Sequence, residues 1–88
     1  LYQNHPNPFN PITTIRYDLS EDGPVSIIIY DLMGREIKTL VKQVSAPGRY
    51  SVNWNGRNQF GKQIASGMYF YRMETPEFQS VKKLIFLK

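Results

Sequence analysis

The stretch that decides the fold is Arg49-Tyr50-Ser51-Val52-Asn53-Trp54, in which apolar and polar side chains alternate without a break. Successive side chains of a β-strand point to opposite faces of a sheet. A period of two therefore predicts a strand with one buried and one solvated face, and it puts Tyr50, Val52 and Trp54 on the buried one. Proline and glycine in residues 46–48 predict a turn just before this strand.

The same alternation extends outward along the chain. Residues 13–19 and 67–74 each put three large apolar side chains in one phase. Residues 25–31 are apolar in both phases, with Ile28 and Tyr30 in the second, so we expect a central strand covered on both sides.

Two less regular stretches complete the set of predicted strands. Residues 35–44 offer the best helical candidate, but their β-branched side chains favour a strand over residues 36–42. Residues 78–88 are expected to form the last strand. Six or seven short strands at intervals of about 8 to 12 residues predict an all-β fold, a small antiparallel β-sandwich of about seven strands.

A stiff leader precedes these strands. Residues 5–11 hold three prolines around a single large apolar side chain, Phe9. Proline lacks an N–H and favours extended polyproline geometry, so this segment cannot be an interior strand. We expect the leader, residues 1–12 with Pro8, Phe9 and Pro11, to lie on one edge of the sandwich, block strand addition there and pack Phe9 into the core. Peptide binding by the proline-rich segment is the alternative.

Composition excludes several classes of function. The 88 residues suffice for one small domain, and the absence of cysteine excludes disulfides and thiol chemistry. No apolar run reaches the roughly 18 residues of a membrane-spanning helix. The net charge is +4, and the basic residues are mostly single and interleaved with strand residues rather than clustered, which argues against nucleic-acid binding. We expect the chain to be a piece of a longer protein.

We expect no enzyme activity, metal or cofactor. His5 stands in the leader without a carboxylate or thiol at useful spacing, and the carboxylates occupy turns and strand ends. The loop of residues 54–61 resembles a calcium loop in outline, but Asn55 and Asn58 are neutral and Arg57 is cationic. Those amides are expected to bond to the local backbone instead.

Four motifs carry a resemblance to a known family. They are Asn7-Pro8-Phe9-Asn10-Pro11 with residues 13–17, residues 25–37 with Tyr30-Asp31-Leu32-Met33-Gly34-Arg35 in their centre, residues 65–73, and Lys82-Lys83-Leu84-Ile85-Phe86-Leu87-Lys88. Together, over residues 2–88, the chain resembles the type A C-terminal sorting domains of the type IX secretion system. The middle motifs are also similar to the immunoglobulin-like domain of flagellar hook-capping proteins. The proline-rich leader and the lysine-ended tail favour the sorting domain.

The resemblance implies an immunoglobulin-like β-sandwich that serves as an address label. It implies one domain over residues 1–88, with the leader in 1–12 and the sandwich in 13–88, at the C-terminus of a secreted protein of Bacteroidota or a related phylum. The outer-membrane secretion machinery would recognise the label in the periplasm, and a sortase-like peptidase would act at the surface. A cargo fused ahead of it would cross the outer membrane to the cell surface or medium. We expect a monomer without nucleic-acid partners or membrane spans.

The same resemblance places the recognition determinants in the last strand. They are Lys82, Lys83, Leu84, Ile85, Phe86, Leu87 and Lys88. This strand is expected to pair with a receptor by β-strand addition.

The alternative is a non-catalytic structural or adhesive accessory module of a secreted hydrolase. Such a module could bind carbohydrate through exposed aromatic residues. The candidates for that role are Tyr30, Trp54, Phe60, Phe70 and Phe78, although same-face aromatic residues of strands usually belong to the core.

Overall fold

The computed structural model describes residues 1–9 and 11–87. These residues form six strands and no helix. The strands are β1 (Thr13–Leu19), β2 (Gly23–Tyr30), β3 (Glu36–Ser45), β4 (Gly48–Trp54), β5 (Gly67–Glu74) and β6 (Gln79–Phe86). The predicted all-β fold is confirmed, with six strands where about seven were expected. The helical candidate belongs to β3, which is longer than predicted, and the last strand begins one residue later and ends at Phe86.

The strands form the two layers of an antiparallel, immunoglobulin-like sandwich. One sheet pairs β1 with β4, and the other has the order β3-β2-β5-β6. The side chains of the alternating apolar phase fill the space between the sheets, as the period of two predicts. The buried core consists of Phe9, Ile15, Tyr17, Leu19, Val25, Ile27, Ile29, Val41, Trp54, Ile64, Tyr69, Tyr71, Met73, Leu84 and Phe86.

The central strand β2 corrects one expectation. It lies between β3 and β5, as a central strand should. However, Ile28 and Tyr30 are only half-buried, so the prediction that both faces are covered is wrong. On this outer face the Arg72 guanidinium lies 4.8 Å from the centre of the Tyr30 ring and donates to the Tyr30 hydroxyl at 2.7 Å. The Arg72 guanidinium thus covers part of the Tyr30 ring, where the prediction required another layer of the fold.

Strand β3 is an outer strand of the larger sheet, and it is irregular. Its register with β2 shifts twice, so Leu40 and Ile37 have no partner residue in β2. Such bulges disturb the backbone of an edge strand and hinder pairing with another chain. In addition, the Gln59 N–H donates to the Ile37 carbonyl at 3.0 Å, so part of this edge is covered by a loop.

The leader lies on two edges rather than the one that was expected. The Tyr2 N–H donates to the Arg16 carbonyl at 3.0 Å, and His5 pairs antiparallel with Thr14 in β1. Further along, Phe9 forms a parallel bridge to β6. The leader therefore crosses from the smaller sheet to the larger one and closes this side of the sandwich.

Candidate functional site: the last strand and the leader

Three of the predicted recognition residues face the inside of the sandwich. Leu84 and Phe86 are buried in the core, and Lys82 shares their side of β6, opposite Tyr71. Lys82 is half-buried. Leu84 and Phe86 anchor the strand in the core, and a receptor meeting the folded domain does not reach them.

The other predicted residues are on the outside or beyond the strand. Lys83 and Ile85 lie on the outer face of the larger sheet, where Lys83 is exposed and Ile85 half-buried. Leu87 follows the strand and is exposed, whereas Lys88 lies outside the described residues. Among the predicted recognition residues that the structure describes, the outward-facing side chains are therefore one lysine and two aliphatic residues.

The leader occupies the outward edge of β6. The Phe9 N–H donates to the Ile85 carbonyl and the Leu87 N–H donates to the Phe9 carbonyl, both at 3.0 Å. The Ile85 N–H donates to Asn7 Oδ1 at 2.9 Å, and Gln3 Nε2 donates to the Lys83 carbonyl at 2.6 Å. Because these groups are already paired, the expectation of strand addition along residues 83–87 is wrong for the domain with its leader in place.

Phe9 anchors this arrangement in the core. Its side chain is 1% exposed, and its ring centre lies 5.0 Å from that of Phe86 and 5.4 Å from that of Trp54. Gly56 packs against the same cluster. A Cβ there would lie 2.8 Å from Phe86 Cε1, and its φ of +71° is a conformation that favours glycine. The predicted leader residues Pro8 and Pro11, by contrast, are exposed.

A buried polar network also holds the leader, and sequence reasoning missed it. The Tyr71 hydroxyl donates to the Tyr2 carbonyl at 2.7 Å and accepts from the Asn4 N–H at 2.8 Å. Asn4 Nδ2 donates to Thr13 Oγ1 at 2.9 Å, and that hydroxyl donates to the Pro6 carbonyl at 2.8 Å. Burial raises the pKa of Tyr71 to about 12, so the hydroxyl keeps the proton that this network needs.

One signal for this network was present in the sequence. Thr13 occupies the same phase of β1 as Ile15 and Tyr17, and the structure buries it almost completely. A polar side chain in a buried phase requires a hydrogen-bond partner. Nothing in the local pattern identifies Asn4 as that partner, because the pairing depends on the path of the leader.

The amides of the loop after β4 bond to the local backbone, as predicted. Asn55 Oδ1 accepts from the Arg57 N–H at 3.2 Å. Asn58 Oδ1 accepts from the N–H groups of Phe60 and Lys62 at 2.9 and 3.0 Å. Within the described parts of the chain, no three His, Cys, Asp or Glu side chains are grouped closely enough to hold a metal ion.

The aromatic residues considered for sugar stacking lie in different places. Trp54 is buried, and its Nε1 donates to the Arg57 carbonyl at 3.0 Å. Tyr30 and Phe70 are paired on the outer face of the larger sheet. Phe60 and Phe78 are exposed in loops at opposite ends of the sandwich. These side chains do not form one stacking platform.

Taken together, the two short antiparallel sheets and their mixed aromatic core define a small immunoglobulin-like domain. The chain belongs to the FlgD Ig-like domain family, whose model matches residues 11–77. No curated protein matches the sequence at a significant level. Residues 1–9 and 11–87 contain no helix that is long and apolar enough to cross a membrane.

Two solved structures from Porphyromonas gingivalis share the fold. A segment of dimeric latent PorU is 29% identical with a TM-score of 0.74, over 97% of this chain and 9% of PorU. A segment of PorZ, described as an essential bacterial surface component of the type-IX secretion system, is 24% identical with a TM-score of 0.66, over 98% of this chain and 11% of PorZ. The chain thus spans about a tenth of either protein.

Proposed function

We propose that this domain is a C-terminal sorting domain of the type IX secretion system. It acts as a folded, non-catalytic label that directs a cargo fused ahead of it across the outer membrane. The cargo passes through the periplasm and reaches the cell surface or the medium. Its partners are the secretion machinery of the outer membrane and a sortase-like peptidase.

The observation that carries this proposal is the extent of the structural match. The family model of the FlgD Ig-like domain covers residues 11–77, which omits residues 1–10 of the leader and all of β6. The matches to PorU and PorZ cover 97% and 98% of the chain, which leaves out about three of its 88 residues at most. The leader and the last strand are therefore features shared with PorU and PorZ, and PorZ is a named component of this secretion system.

The contacts of β6 support recognition through side chains rather than through its backbone. The leader occupies the edge of residues 83–87, whereas Lys83, Ile85 and Leu87 remain accessible in part or in full. A lysine beside aliphatic side chains suits a receptor surface that is apolar with an acidic rim. The leader and the bulges of β3 limit edge-to-edge pairing, which supports a monomer.

Export of a reporter tests this function. A fluorescent protein with an N-terminal export signal is fused ahead of Leu1 and expressed in a bacterium that has the secretion system. We expect the fusion to reach the surface or medium, and a fusion without the domain to stay in the periplasm. Equal export of the two fusions would contradict the proposal.

Matched lysine variants then test the role of the last strand. We expect the triple change of Lys82, Lys83 and Lys88 to Ala to reduce export at least several-fold. The control changes Lys38, Lys42 and Lys62 to Ala, because this variant removes the same number of positive charges outside the last strand. Surface substitutions usually change stability by less than about 0.5 kcal/mol each, so urea midpoints should stay close to wild type. Equal export of both variants would contradict recognition through the last strand.

A carbohydrate-binding accessory module is the second candidate, and one groove favours it. The groove has a volume of about 630 Å³ and is lined by Tyr2, Gln3, His5, Arg16, Asp18, Arg49 and Tyr50. Tyrosine rings beside two guanidinium groups suit an acidic sugar, which offers both a ring face and a carboxylate. Titration of the domain with acidic oligosaccharides, followed by NMR shifts of Arg16 and Arg49, tests this candidate. Unchanged shifts would exclude binding of acidic sugars in this groove.

A further inference from the structure

Two turns of this domain have the same sequence pattern. Residues 31–35 read Asp-Leu-Met-Gly-Arg, and residues 58–62 read Asn-Gln-Phe-Gly-Lys. Each begins with Asp or Asn, has glycine in fourth place and ends with a basic residue. The first joins β2 to β3, and the second lies in the loop between β4 and β5.

The first turn is closed by four hydrogen bonds centred on Asp31. Its Oδ1 accepts from the N–H groups of Met33 and Arg35, both at 2.9 Å. Its backbone N–H donates to the Arg35 carbonyl, and its own carbonyl accepts from Gly34, both at 3.0 Å. Gly34 takes a φ of +83°.

The second turn repeats these four bonds around Asn58. Its Oδ1 accepts from the N–H groups of Phe60 and Lys62 at 2.9 and 3.0 Å. The Asn58 N–H donates to the Lys62 carbonyl at 2.8 Å, and the Gly61 N–H donates to the Asn58 carbonyl at 2.9 Å. Gly61 takes a φ of +79°. Both turns are therefore closed by the same hydrogen bonds.

The geometry of these turns leaves their second and third residues free to be polar. The hydrogen bonds use the side chain only of the first residue, and positive φ is required only of the glycine. Nevertheless Leu32 is 63% exposed, Met33 79% and Phe60 78%. Large apolar side chains held in water at the tips of closed turns contribute little to the core, and where they are grouped on one part of the surface they indicate a binding site.

Both tips lie at the same end of the sandwich. The Gln59 N–H in the second turn donates to the Ile37 carbonyl, two residues after the first turn ends. The charges near the tips are mainly positive. Four positive charges lie there, on Arg35, Lys38, Arg57 and Lys62. The two negative charges are those of Glu36 and of Asp31, and Asp31 is paired with Arg35 at 2.8 Å.

We propose that these two turn tips dock the domain onto an anionic membrane surface. Convex apolar tips suit a soft acyl boundary, and the Lys and Arg residues beside them remain in reach of lipid phosphates. Protein interfaces are most often anchored by Trp, Tyr and Arg, and neither turn contains a Trp or a Tyr. The docking does not rest on the secretion role, and the experiment contains no secretion machinery, so either can fail without the other.

Co-sedimentation with lipid vesicles tests the docking. The vesicles are phosphatidylcholine alone, or phosphatidylcholine with about one third phosphatidylglycerol. We expect the domain to bind the anionic vesicles and to dissociate as salt is raised. The double variant Met33→Ser, Phe60→Ser should bind at least about tenfold more weakly, because it removes the inserted side chains. Lys62→Glu should weaken binding to anionic vesicles only.

The matched control is Val44→Ser. Val44 is 78% exposed, as Phe60 is, but it lies at the other end of the sandwich, where it pairs with Pro24. This variant should bind like wild type. Three outcomes would overturn the docking: no binding of the wild-type domain, equal binding of the double variant, or an equal loss in the control. Two further results, each without vesicle binding, would also overturn the docking. They are self-association of the domain through the tips and binding of a secretion protein through the tips.

Discussion

The role of Phe9 leads to the sharpest stability prediction. Its ring is 1% exposed and contacts the rings of Trp54 and Phe86. Truncation of a buried phenylalanine costs about 3–5 kcal/mol, since it combines lost transfer free energy with a cavity. An 88-residue domain has a free energy of unfolding of about 4–13 kcal/mol at roughly 0.05–0.15 kcal/mol per residue. Phe9→Ala should therefore remove a large share of the stability.

Urea unfolding measures this loss. The single tryptophan, Trp54, reports on the core by fluorescence, and circular dichroism reports on the strands. With a slope of about 1–3 kcal/mol per molar, the Phe9→Ala midpoint should fall by at least about 1 M. Phe9→Leu is the matched variant, because it keeps most of the apolar volume and should cost less than about 1.5 kcal/mol.

Hydrogen exchange separates opening of the leader from global unfolding. The amides of Leu87 and Ile85 are bonded only to the leader on this edge, through Phe9 and Asn7. In the Phe9→Leu variant these two amides should lose protection, whereas the central strand β2 should keep its protection. If Phe9→Ala left the urea midpoint unchanged, or if these two amides lost no more protection than β2, the leader would not depend on Phe9 and the reasoning would be refuted.

Two further substitutions test the contacts that hold the leader. Because burial raises the pKa of Tyr71 to about 12, the unfolded state loses the hydroxyl proton at a lower pH than the folded state does. The contribution of the Tyr71 hydroxyl to the free energy of unfolding is therefore full below about pH 10. It should decrease by up to about 2 kcal/mol as pH rises toward 12. Tyr71→Phe should cost about 1–3 kcal/mol at neutral pH, since the Asn4 N–H loses its acceptor. The free energy of unfolding of this variant should also fall less steeply above pH 10 than that of the wild type. Parallel pH profiles of the two proteins would count against the network. Gly56→Ala should cost about 2–4 kcal/mol, because its Cβ would lie 2.8 Å from the Phe86 ring at a positive φ, and an unchanged thermal midpoint would show that the loop can relax.

Much of this fold follows from local patterns. The clean alternation of residues 13–19 predicted β1, and that of residues 49–54 predicted β4 and identified Trp54 as a core residue. These strands could be predicted because a period of two depends only on the sequence itself. The amides of Asn55 and Asn58 were also predicted correctly, since their bonds reach no further than four residues along the chain.

Errors arose where the answer depends on distant parts of the chain. The pattern of β2 indicates that Ile28 and Tyr30 avoid water, but not that Arg72 of the neighbouring strand would be the group that packs there. Likewise, three prolines show that the leader cannot be an interior strand. They do not show that it crosses between β1 and β6, since this path is set by Asn4 and Phe9 through partners at the far end of the chain.

The path of the leader also bears on the sorting role that we propose, because it limits which groups of the last strand a receptor can contact. A bare edge strand would offer a receptor its backbone groups, but it would offer them equally to other unfolded or partly folded chains in transit. Here the leader pairs with the edge of residues 83–87 and leaves Lys83 and Leu87 exposed. Recognition by side chains can discriminate among partners in a way that backbone pairing cannot, because every strand carries the same backbone groups. The sorting role that we propose requires a domain that stays folded and unpaired in transit, and a covered edge with an open row of side chains meets that requirement.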